Sequence, residues 1–171
     1  MLYATLARIR RPAMGRLNSG VRPHMKVIDD PIIGPLELLD SSGLWQRSFE
    51  LPGFLTAALH FESEVSVAPD DAGHLMQWSV PNRSQQLAFL RLQENSVEFS
   101  QKCAEALHVH AASVTEYSSL ASNQSRPLTG LVPDIVFGYD EDLVSIHFQV
   151  PWDREHGCTL LFDGLVLCRV E

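Results

Sequence analysis

Trp152-Asp153-Arg154-Glu155-His156-Gly157 sets two carboxylates and an imidazole within six residues, between two apolar runs. Such a set can do acid/base chemistry, with Asp153, Glu155 and His156 as proton carriers and one carboxylate orienting the ring. It can also hold a divalent metal if a further ligand such as His147 or His108 converges on it. Adjacent side chains on an extended segment point to opposite faces, so Glu155 and His156 converge only if a bulge turns one of them round. The other reading is a bend. The Asp153 carboxylate would then accept backbone N–H groups, Gly157 would supply a special φ, and Trp152, Asp153, Glu155 and His156 would be surface groups open to a partner.

His108 and His110 sit at i, i+2, about 200° apart on a helix, and cannot share a metal while helical. One of them belongs at the helix margin, where its charge suits the C-terminal end of the dipole. The chain has no phosphate-binding Gly-x-x-x-x-Gly-Lys, no Gly-x-Gly-x-x-Gly turn, no Gly-x-Ser-x-Gly elbow and no His-Glu-x-x-His helix. Nucleotide-dependent and serine-hydrolase chemistry are disfavoured and no cofactor is expected. Cys103, Cys158 and Cys168 make neither an even disulfide set nor a Cys-x-x-Cys spacing, so reduced thiols are expected. Cys158 and Cys168 fall on adjacent strands and could face each other.

Charge divides the chain. Residues 1–24 hold Arg8, Arg10, Arg11, Arg16 and Arg22 and no acid, whereas the rest carries 8 basic and 21 acidic side chains, a net of 8 − 21 = −13. The basic stretch reads as a leader without a fold of its own, with Met25 as the start of a single domain over 25–171. An acidic body repels polyanions, which argues against nucleic acid, and favours encounter with a basic protein. The acidic run Asp140-Glu141-Asp142 reads as a solvated hairpin tip suited to such a partner. No apolar stretch reaches the roughly 20 residues of a membrane span, and a cytoplasmic location is expected.

The elements that must position these residues follow from periodicity. A strand over 32–39, interrupted at Gly34-Pro35, and a strand over 44–54 make a first hairpin, and 55–67 alternates as a half-buried strand. Helical spacing is expected over about 84–93 and again over 96–114, the second opened by a capping box with Asn95 as cap and Glu98 three residues on. Val97, Gln101, Ala104, Leu107, Ala111 and Val114 trace its apolar stripe, with Phe99, Cys103, Ala106 and His110 beside it. Ser118 to Arg126 is a polar loop. Strands over 134–138, 143–150, 158–162 and 165–170 follow, the last two joined by Asp163-Gly164 as a two-residue turn. The fold class is α+β, an antiparallel sheet with the two helices packed on one face.

The turn and its surroundings resemble a group of small bacterial domains of unknown function, immunity-protein-like in style, whose last hairpin carries Trp-Asp-x-Glu-His-Gly. Gly34, Gln85-Gln86, Asn95 and Pro133 match further positions of that group, and the resemblance spans residues 27 to 170. It implies a shared fold and an immunity-like genomic style more than an activity. It implies no catalytic residue.

Overall fold

A computed structural model describes residues 26–39, 42–67, 77–113, 128, 130–139 and 143–171. The basic leader, the 118–126 loop and the run Asp140-Glu141-Asp142 lie outside the described residues.

Among the described residues ten strands and two helices follow in the order β1 (Val27–Asp30), β2 (Gly34–Leu39), β3 (Leu44–Phe49), β4 (Ala57–Glu62), β5 (Val65–Val67), β6 (Gln77–Trp78), α1 (Arg83–Glu94), α2 (Ser96–Ser113), β7 (Pro133–Phe137), β8 (Leu143–Val150), β9 (Asp153–Asp163) and β10 (Val166–Val170). Eight strands form one sheet in the order β1-β2-β3-β4-β7-β8-β9-β10, while β5 and β6 pair separately. The sheet is antiparallel except at its centre, where β4 and β7 run parallel. A parallel pair needs a long crossover, and between these two strands the chain passes through both helices.

Period-two patterning sets the register. Leu38 pairs with Trp45, Trp45 with Phe61, Phe61 with Phe137, Phe137 with Val144, and Val144 with Phe162, so one apolar row crosses the sheet. Every member is buried. Phe61 and Phe137 stack with ring centroids 4.6 Å apart. From α1, Phe89 meets Phe61 edge-on at 6.2 Å, and from α2, Phe99 meets Phe162 at 5.0 Å. A one-residue slip in any of these strands would send its apolar set to the other face.

The ends of the parallel pair are closed by α1. Asn82 Oδ1 accepts the N–H of Gln85, and Gln85 Oε1 accepts the N–H of Asn82, a reciprocal cap at the helix start. The buried Gln85 amide donates onward to the carbonyls of Glu62 at the end of β4 (2.9 Å) and Phe137 at the end of β7 (3.0 Å). At the first edge the buried Asp30 carboxylate accepts the N–H groups of Ile32 and Ile33 and the side-chain amide of Gln86.

Several expectations need correction. The first strand breaks at 31–33, where Asp30 ties the turn, and Gly34-Pro35 lies inside β2. The reciprocal cap forms at Asn82, where the chain enters from an extended stretch. Asn95 does lead into α2, its carbonyl accepting the Phe99 N–H, but its side chain donates back to the Arg91 carbonyl of α1 at 2.8 Å and Glu98 pairs with Lys102, so no capping box forms there. On α2 the buried stripe is Phe99, Ser100, Cys103, Ala106, Leu107 and Ala111, and Val97 is exposed, because the larger Phe99 takes the core-facing position. The last hairpin turns on Gly164-Leu165, since Asp163 still pairs with Val166. Cys158 is buried while Cys168 is exposed, because β10 bulges between Leu167 and Arg169 and takes Cys168 out of register.

Candidate functional site

Pro151 and Trp152 make the turn that follows β8, and Asp153 pairs with Val150 across it. Proline favours the second position of a turn because its ring presets φ and it has no N–H to satisfy. The register then shifts: Phe148 pairs with Cys158, so the single residue Gln149 stands opposite the four residues from Arg154 to Gly157. The sequence suggested one continuous turn over 152–157. The structure has a tight turn followed by a wide bulge inside β9.

Asp153 and His156 come together within that bulge. Asp153 Oδ1 accepts the His156 N–H at 3.0 Å and lies 3.2 Å from His156 Nδ1. The backbone hydrogen bond from His156 is the main reason the Asp153 carboxyl is held below its ordinary value, with the imidazole adding to it. Glu155 is exposed and joins neither group. Gly157 closes the bulge at φ +75°, in the left-handed region, and a Cβ there would stand 2.6 Å from the His147 ring and 2.7 Å from the Phe148 carbonyl oxygen. Among the described residues no three His, Cys, Asp or Glu side chains are grouped so that they could hold a metal ion.

Trp152 reaches the other way. Its indole N–H donates to His110 Nδ1 at 3.0 Å. That nitrogen must therefore be unprotonated, with the ring proton on Nε2. His110 lies in the last turn of α2 and so couples the β8–β9 turn to the helix end. It also lines a groove of about 650 Å³ between α2 and β10, together with Lys102, Glu105, Val109, Val166 and Val170.

His147 leaves the bulge for the sheet. Its Nδ1 is 3.0 Å from Thr159 Oγ1, and its register partners are Asp134 on β7 and Thr159 on β9. His60 on β4 lies diagonally from Asp134, since Ala58 pairs with Asp134 and His60 with Val136. Burial lowers the His60 imidazole below its ordinary 6.5, and the Asp134 charge opposes that shift. His60 Nδ1 is buried without a hydrogen-bond partner among the described residues. His60 and Asp134 went unnoticed in the sequence, although both alternate with core residues, His60 between Leu59 and Phe61 and Asp134 before Ile135.

The thiols are quiet. Burial pushes Cys103 up to about 12 and Cys158 up to about 11, so neither is a thiolate near neutral pH.

No family model, curated protein or solved structure matches the chain.

Proposed function

We propose that this protein is a non-enzymatic binding domain of the immunity type, acting in the cytoplasm on a basic protein partner. The observation that carries the reading is charge: beyond residue 24 the chain holds 21 acidic side chains against 8 basic ones. A field of that sign speeds encounter with cations and repels nucleic acid. The geometry of the bulge supports a binding role over a catalytic one. Asp153 pairs with His156, but the pair stands at the surface with the His156 side chain 79% exposed, Glu155 stays apart, and neither Asp153 nor His156 lines the groove, so no water-excluded pocket surrounds them among the described residues.

The architecture fits a binding scaffold. We read both helices as covering one face of the sheet, with Phe89 against Phe61 and Phe99 against Phe162 as their anchors. The opposite face then carries His60, Asp134, His147 and Thr159, and the edges and turns are left to partners. Trp152, Asp153, Glu155 and His156, with the run Asp140-Glu141-Asp142, are the contact residues the reading favours.

The test is enrichment of binding proteins on the immobilised full chain at low and at high salt, followed by titration of each purified candidate. The reading expects basic proteins that are lost as salt rises. Neutral or acidic proteins retained at high salt would refute it.

A further inference from the structure

We propose that the partner docks through an extended segment, alternating apolar and basic residues, which adds to the outer edge of β10 and fills the groove beneath α2. The proposal rests on the basic-partner reading above and adds a place and a mode to it.

The first argument is topological. β10 ends the eight-strand order and is bonded to β9 on one side, so among the described residues its other row of N–H and C=O groups has no strand beside it. Such an edge accepts an incoming strand by main-chain hydrogen bonds, with alternate side chains entering pockets. Glu171 exchanges both backbone hydrogen bonds with Thr159, which holds β10 straight to its end.

The second argument is the bulge. Leu167 pairs with Phe162 and Val170 with Leu160, and both partners belong to the buried face of β9. An odd and an even residue share a face only because Cys168 is taken out of register. The bulge thus turns Leu167 and Val170 together toward the groove, where Val109 is 72% and Val166 64% exposed. Among the described residues nothing covers these two apolar groups, and the groove is large enough for side chains.

Charge then selects the occupant. Lys102 Nζ is held by Glu98 at 2.8 Å and by the Leu165 carbonyl at 2.5 Å. Arg169 is held by Glu171 at 2.6 Å. Glu105 is left without an ionic partner among the described residues, and the groove reaches His110 and Ser113 in the last turn of α2, the end at which a helix dipole carries partial negative charge. The residual field of the groove is negative. A basic side chain flanked by apolar ones satisfies both features, whereas a second copy of this acidic chain would meet like charge.

The experiment measures binding of two sets of seven-residue peptides to the full chain by fluorescence anisotropy, one alternating Val or Ile with Lys or Arg, the other replacing the basic residues by Glu. Glu105→Lys and Val109→Lys change exposed helical positions, and circular dichroism checks that each variant melts as the parent does. Basic peptides are expected to bind, at least tenfold more weakly to each variant, and to slow amide hydrogen exchange across 166–170. Equal affinity for parent and variants would remove the groove while leaving a basic partner in place. Preference for the acidic set would remove both. Failure of every peptide would overturn the strand-addition mode, and the enrichment experiment would judge the basic partner separately. A dimer of the parent that Val109→Lys dissociates would assign the groove to a second copy and overturn the proposal.

Discussion

Trp152 and His110, 42 residues apart in sequence, are joined by a hydrogen bond from the indole N–H to the imidazole Nδ1. The bond ties the turn between β8 and β9 to the last turn of α2. Trp152→Phe keeps most of the ring and removes the donor, and is expected to lower stability by about 1 kcal/mol. His110→Ala should cost a similar amount, and the double variant should cost less than the two together, because they lose the same bond. Urea denaturation of the three variants reads this coupling. Strict additivity would mean that the two residues act independently.

Gly157→Ala should destabilise the fold by more than about 1 kcal/mol. The new methyl group meets an unfavourable φ and, at once, the His147 ring and the Phe148 carbonyl. Thermal unfolding measures the loss. An unchanged midpoint would show that the bulge can relax without this glycine.

The Gln85 amide satisfies two strand-end carbonyls and completes the helix cap. Its removal in Gln85→Ala strands the part-buried Glu62 and the buried Phe137 acceptors and opens the Asn82 cap. We expect a loss of about 2 to 3 kcal/mol, against about 1 kcal/mol for Asn82→Ala. Chemical denaturation of both variants tests the order, which would be reversed if the cap mattered more than the strand ends.

His60 makes the fold sensitive to pH. Its folded-state value lies below 6.5 because burial disfavours the charged ring, so the unfolded chain takes up the proton first as pH falls. The contribution of His60 to stability is therefore complete above 6.5 and is lost as pH drops through 6.5 toward the folded-state value. Imidazole NMR signals should show His60 titrating below 6.5, and Asp134→Asn should move that titration lower still, since the Asp134 charge raises it. His60→Leu should flatten the stability profile over the same window. Titration of His60 at or above 6.5 would contradict the burial account.

What the sequence revealed was local periodicity. β8 was legible to the residue because Val144, Ile146, Phe148 and Val150 alternate without interruption, and the helix expected over about 84–93 appears as Arg83–Glu94. Long-range choices were not legible. Nothing local says that β4 pairs in parallel with β7, since that pairing depends on where two helices deliver the chain. The cap at Asn95 looked sound by spacing, yet a helix had only just ended there, and Asn95 went to its C-terminal carbonyl instead. The candidate site was half visible. Asp153 and His156 were marked by their spacing, but the Trp152 bond to His110, the bulge at Cys168 and the burial of His60 Nδ1 without a hydrogen bond among the described residues arise only when separate strands and helices meet.

The central claim is that an acidic body captures a basic protein, and its most direct test is the salt dependence of affinity for the purified partner. Isothermal titration between about 50 and 300 mM NaCl should show affinity falling steadily as exposed charges are screened over shorter distances. Affinity that does not change across that range, or that rises with salt, would contradict the account.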